Sequence, residues 1–326
     1  MKKIAFMGLI LCLGCACRQN SRSTAALERA AAVVAVPEFN VDSAYFYTAT
    51  QVAFGPRVPN TEAYWSCGDY LVREMERFGA VVTQQRASVM TYDRQSIPLR
   101  NIIAAFQPEK PKRVLLCAHW DSRPFADQDI NPKNHRKAID GANDGAGACG
   151  VLMEIARQIG LQMPNVGVDI IFFDAEDWGQ PAFDTKHYDD AGYCLGSKYW
   201  ANHPHKPNYQ AQYGILLDMV SARGARFYKE QQSMHYAKSI VNKVWETAQA
   251  LGYDDFFVNQ FGISCEDDHI PLNQIRKIPT IDIIQNDPHA PKGFGDYWHT
   301  TNDTMNQVSR ETMRAVGQTL LQVIYS

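Results

Sequence analysis

Two periodicities alternate along the chain. Apolar positions recur at three- and four-residue intervals around 61–78 (TEAYWSCGDYLVREMERF), 147–159, 232–250 and 307–325, which predicts helices there. Between them lie short, nearly continuous apolar runs of strand length: NIIAAF, RVLLCAH, VDIIFFD, GILLDMV and PTIDII. Strands that are apolar throughout need cover on both faces. The pattern therefore predicts an α/β domain, with a central, twisted, mostly parallel (mixed) sheet flanked by helices on both faces. No break in composition divides it, so residues 39–326 read as one domain.

The polar residues that interrupt this pattern fall at strand ends, in LLCAHWD, IIFFDAED, ILLD and IDIIQND. Open α/β sheets bind ligands beyond the carboxyl ends of their strands, so His119, Asp121, Asp174, Glu176, Asp177 and Asp218 are delivered to one rim. Further on, SCEDDHIPL (264–272) sets Glu266, Asp267, Asp268 and His269 side by side, and these four must divide between interior and solvent. One acid after a strand is ordinarily a solvated loop residue or a helix cap; Asp144 of GANDGAGACG could simply cap the helix that follows. Six such segments in order (HWD, GANDGAG, FFDAED, LLD, EDDH, WHTTND) argue instead for a shared site. Imidazoles and carboxylates suit Zn²⁺, which takes about three protein ligands in a catalytic site. Adjacent Glu176 and Asp177 allow one to bind metal while the other stays free as a base.

Composition narrows the classes. At 326 residues, 45% hydrophobic and 21% charged, with a net charge of −3 and no basic block, the chain can bury a large core and nothing in it points to nucleic acid. The start, MKKIAFMGLILCLGCAC (1–17), has two lysines, an apolar stretch too short to span a bilayer as a mature helix, and small residues ahead of cysteine. It resembles a bacterial lipoprotein signal with Cys15 or Cys17 as the lipidated residue. That implies an exported, periplasmic protein held to the membrane by a lipid anchor only; simple secretion is the other reading. Residues 18–38 read as a tether. Five cysteines follow, an odd number, so at least one thiol is free, and an oxidising compartment would allow Cys117 to pair with Cys149.

The order HWDS, GANDGA, FFDAED, LLDMV, EDDHIPL and YWHT resembles the zinc aminopeptidase and glutaminyl cyclase superfamily, and more closely the animal-type glutaminyl-peptide cyclotransferases. The resemblance runs from about FGPRVPNT near residue 54 to the C-terminus. It implies conversion of N-terminal glutamine of peptides or proteins to pyroglutamate with release of ammonia, one zinc per chain, and a monomer. By position it implies Asp144, Asp177 and His299 as zinc ligands, with aspartate at 177 where the animal enzymes usually carry glutamate. Glu176 then stands at the place of the general base, Asp218 and Asp267 at those of two acids that share hydrogen bonds with it, and Trp298 and Phe294 at aromatic positions of the substrate pocket.

A second reading comes from the same superfamily. In its two-zinc aminopeptidases, residues placed like His119 and Asp218 bind a second metal, with one like Asp144 bridging; here His119 and Asp121 are candidates for a second metal or for support of the first. The doubled aspartate of EDDHIPL and the form of HWDSRPF favour the cyclase. A binding protein without activity is the remote alternative.

Overall fold

The computed structural model describes residue 1, residues 34–186 and residues 192–326. The expected leader from residue 2, the tether up to residue 33 and positions 187–191 lie outside the described residues. From residue 34 onward the chain forms one folded unit.

In chain order the elements are α1 (Val41–Ala53), α2 (Glu62–Arg77), β1 (Val81–Met90), β2 (Ser96–Phe106), β3 (Arg113–His119), α3 (Ala148–Leu161), β4 (Gly167–Phe173), α4 (Leu195–Asn202), β5 (Gly214–Asp218), β6 (Phe227–Lys229), α5 (Gln231–Ala250), β7 (Phe257–Phe261), α6 (His269–Gln274), β8 (Thr280–Ile284) and α7 (Arg310–Tyr325). The main sheet runs β1-β2-β4-β3-β5-β8, with β6 and β7 pairing separately. β1 and β2 are antiparallel to their neighbours, whereas β4, β3, β5 and β8 are mutually parallel. The helices start on side-chain caps where the sequence supplies them: Asn40, Thr61 and Ser309 accept from the backbone N–H three residues on.

Side-chain alternation sorts the strands onto two cores. Leu116 and Ala118 of β3, Ile170 and Phe172 of β4, and Ile215 and Leu217 of β5 pack into the larger core with α1, α3, α5 and α7. Leu115 and Cys117, Ile171 and Phe173, and Leu216 face a second core closed by Trp200, Tyr209 and Leu272. Apolar demand from both sides is why these strands read as unbroken apolar runs. Asp169, a buried charge in the middle of β4, is held by a two-pronged bond from Arg113 at the start of β3 (Nε 2.6 Å, Nη2 2.7 Å) and by the Tyr209 hydroxyl at 2.7 Å.

The same alternation rules out the Cys117–Cys149 pairing that an oxidising compartment would have allowed. Cys117 lies in the second core and Cys149, on α3, in the first, so the sheet separates them. Both are free and buried, as are Cys67, Cys194 and Cys265. The Cys149 thiol instead donates to the His119 carbonyl at 3.1 Å.

Candidate metal and catalytic centre

The parallel strands end at one rim, and the segments that follow converge there. His119 closes β3; Asp144 lies in the turn ahead of α3; Glu176 and Asp177 follow β4; Asp218 closes β5. Asp144 does not cap α3, whose first turn has Gly147 at the cap position and no side-chain cap. Its turn is pressed against β3: a Cβ on Gly145 would sit 2.4 Å from the His119 carbonyl, which explains the glycine in GANDGA. The backbone at Ala175, Cys194, Met219 and His299 is left-handed without glycine, a cost that persists only where surrounding contacts impose it.

Among the described residues three sets of atoms could each hold a cation: two share Asp144, and the third is Glu176, Cys194 and Asp267. Asp144, Asp177 and His299 place one donor atom each within 4.8 Å of the others, and so do His119, Asp144 and Asp218. Within the first set, His299 Nε2 is 3.1 Å from Asp177 Oδ1 and 3.8 Å from Asp144 Oδ2. Burial, and then Arg123, hold His299 well below the usual imidazole range, which leaves it neutral and able to ligate. Asp177 Oδ2 is buried with no hydrogen-bond partner. A nitrogen and two carboxylate oxygens with such an orphaned atom fit a zinc ion. In the second set, His119 Nε2 is 2.9 Å from Asp144 Oδ1 and 3.4 Å from Asp218 Oδ1, and Nδ1 is 3.4 Å from Asp121. Burial opposes protonation of His119, but the surrounding carboxylates of Asp121, Asp144 and Asp218 raise it well above its ordinary range.

Every member of the first set is fixed from behind. Asp303 accepts the backbone N–H groups of Asn143 (2.8 Å) and Asp144 (3.1 Å). Asp121 accepts those of Glu176 (3.1 Å) and Asp177 (3.2 Å), so it braces the turn. The buried Arg123 donates to the Asp177 carbonyl (3.0 Å) and carboxylate (3.3 Å), and through Nε to Asp127 (2.8 Å), which lies 3.6 Å from His299 Nδ1. Arg123 lies within HWDSRPF, Asp127 just beyond it and Asp303 at the end of WHTTND. Nothing local in the sequence marks them.

Beside the ligand set lies a cavity of about 390 Å³. Glu176, Asp218 and Asp267 line one side; Trp298, stacked on His299 with ring centres 3.9 Å apart, and Phe294 line another. Burial, and then Asp267, push Glu176 well above the usual carboxyl range. Burial also raises Asp218 to about 6, and burial with Asp218 raises Asp267 to about 7. Of the SCEDDHIPL charges, Asp267, Asp268 and His269 are buried and Glu266 is exposed at the cavity edge. Cys265, buried beneath Ile284 and Met219, is a packed thiol.

The model of Peptidase family M28 matches residues 101–324. Among solved structures, a glutaminyl cyclase of Tannerella forsythia is 55% identical with a TM-score of 0.87, over 89% of this chain and 99% of that one. A Zn-dependent exopeptidase of Parabacteroides distasonis is likewise 55% identical, with a TM-score of 0.89 over 90% of this chain and all of that one. Among curated proteins, Aminopeptidase YwaD of Bacillus subtilis is 25% identical over 76% of this chain, and glutaminyl-peptide cyclotransferases match as well, that of Bos taurus at 25% over 68%. The chain spans 49% of the length of the first and 64% of the second. With the family model covering most of the chain and the site built on its matched segments, the protein belongs to Peptidase family M28.

Proposed function

We propose that the protein is a zinc-dependent glutaminyl-peptide cyclotransferase that turns an N-terminal glutamine into pyroglutamate and releases ammonia. The observation that carries this reading is the burial of Asp267 next to Asp218 and within reach of Glu176. The reaction needs a pocket that holds and returns a proton; it does not need a water-derived nucleophile.

Asp144, Asp177 and His299 would hold the zinc ion, whose chemistry there is Lewis-acid polarisation of the glutamine side-chain carbonyl. The cavity, about 390 Å³, has room for a glutaminyl side chain, and Trp298 and Phe294 are part of its apolar lining. The attacking group is the substrate's own α-amine, already tethered to its target, so most of the entropy of bringing them together is prepaid. Glu176 takes a proton from that amine as the new C–N bond forms, and returns it to the side-chain nitrogen as the old C–N bond breaks and ammonia leaves. Asp218 and Asp267, raised toward neutrality, keep negative charge beside Glu176 adjustable during this transfer.

The His119, Asp144 and Asp218 set favours a second reading, a two-metal aminopeptidase. Asp218 Oδ1, 3.4 Å from His119 Nε2, is buried without a hydrogen-bond partner, as Asp177 Oδ2 is in the first set; against a second ion stands the 2.9 Å pairing of His119 Nε2 with Asp144 Oδ1, which it would have to break. Incubation with a glutaminyl peptide and with a leucyl amide separates the two: ammonia from the first alone supports the cyclase, and amine from the second supports the peptidase. Zinc content near one per chain is the accompanying expectation. We also propose that the enzyme is exported and lipid-anchored, which fractionation of Cys15→Ser and Cys17→Ser variants tests.

A further inference from the structure

The cyclase resemblance expects Glu176 to share hydrogen bonds with acids, yet among the described residues the donor that reaches its carboxylate is a thiol. Cys194 Sγ donates to Glu176 Oε1 at 3.2 Å. Two backbone bonds join the same segments: the Cys194 N–H donates to the Glu176 carbonyl (2.9 Å) and the Leu195 N–H to the Ala175 carbonyl (3.1 Å). Ala175 and Cys194 both hold left-handed backbone, φ 51° and 55°, so the two strained turns face each other across this pair of bonds. The sulfur is therefore placed by main chain, not by a mobile side chain.

We infer that Cys194 is a positioning residue for the general base: its S–H holds Glu176 Oε1 and leaves Oε2 to exchange protons with the substrate. Asp267 completes a compact trio, with one donor atom each of Glu176, Cys194 and Asp267 within 4.8 Å. Two carboxylates side by side repel, and the bond from the thiol to Oε1 keeps the Glu176 carboxylate from swinging away. Burial, and then the surrounding carboxylates of Glu176, Asp268 and Asp267, push the Cys194 thiol well above its ordinary range, so the sulfur keeps its proton. It serves as a donor, not as a nucleophile.

This inference rests on the cyclase reading only through the role of Glu176, and the test separates the two. In the zinc-loaded protein, ammonia release from a glutaminyl peptide is compared for wild type, Cys194→Ser, which keeps an O–H donor, and Cys194→Ala, which has none. The expected result is a fall in kcat of about fivefold for Cys194→Ala at unchanged KM, with Cys194→Ser within about twofold of wild type. Cys194→Gly, suited to the left-handed backbone, is a second donor-free variant should Cys194→Ala not fold, and is expected to match its kcat. Donor-free variants within twofold of wild type, or a serine variant as impaired as alanine, overturn the inference. If wild type instead cleaves leucyl amide, the cyclase reading fails and the same comparison is made on that reaction, where Glu176 remains the base. Turnover of neither substrate overturns both.

Discussion

Asp121 offers the sharpest quantitative test of how this site is held. It is fully buried, and its two oxygens accept the backbone N–H groups of Glu176 and Asp177 at 3.1 and 3.2 Å. Asp121→Ala removes two charge-assisted bonds and strands two donors in the interior. Each is worth about 1.5–3 kcal/mol. Part of this is regained, because Asp121 repels Asp144, Asp174 and Asp177. A net loss of about 3 kcal/mol follows, which at about 2.1 cal/mol/K of unfolding entropy per residue lowers Tm by about 5 °C for a domain of this size. The freed turn carries both the base and a candidate ligand, and a displacement of about 1 Å there costs on the order of a hundredfold in kcat. Asp121→Asn keeps one acceptor and is expected midway in both. The assays are thermal unfolding of the zinc-loaded protein, bound zinc, and ammonia release. An alanine variant within about 2 °C and twofold of wild type would refute the idea that this carboxylate fixes the turn.

Three further outcomes are expected. Glu176→Gln loses at least about a hundredfold in kcat while bound zinc, measured by atomic absorption, is unchanged; retained turnover removes it as the base. Asp267→Asn lowers kcat about tenfold or more and keeps its zinc, and loss of the metal would place Asp267 among the ligands instead. In the metal-stripped protein, stability falls between about pH 4 and 8. Asp267 and Asp268, raised by burial and by adjacent carboxylates to about 7 and about 8, keep protons in the fold that the unfolded chain has released above about pH 4. Their contribution is complete below the unfolded value and lost as pH rises through the folded one. Glu230, held at about 2 against burial by His269, acts only below about pH 4. Urea midpoints at pH 5 and pH 8 decide it: a midpoint at pH 8 equal to or above that at pH 5 contradicts the assignment.

What could be read in advance follows from burial. β3, β4, β5 and β8 are buried along both faces, so their sequences carry one unbroken signal. β1, VVTQQRASVM, sits at the sheet edge with most side chains exposed or half-exposed, and polar residues there blur the strand pattern. The helices α4 and α6, of eight and six residues, are too short for helical periodicity to show. At the site, residues that project from strand ends were legible because topology alone brings them to one rim. Their supports were not: Asp303 acts on Asn143 and Asp144 from 159 or more residues away, and Arg123 reaches Asp177 across 54. Such pairs exist only once the rim has formed. Cys194 is the same case, since its thiol meets Glu176 only because two left-handed turns pair through their main chains.

The chemistry that separates cyclase from peptidase is then a matter of what the acids around Asp218 are free to do. On the proposed reading, one of Asp218 and Asp267 keeps a proton near neutral pH, since burial raises them to about 6 and about 7 and two carboxylates in a dry pocket resist full ionisation. A second dication between His119, Asp144 and Asp218 would have to expel that proton and break the 2.9 Å bond from His119 to Asp144. Hydrolysis would justify such a cost, because it must generate hydroxide from water. Cyclisation would not, because its nucleophile arrives tethered and gives its proton to Glu176 directly. On that proposed reading the buried Asp267 withholds Asp218 from metal and reserves it for proton balance, and a single-ion site would leave the acid pair intact.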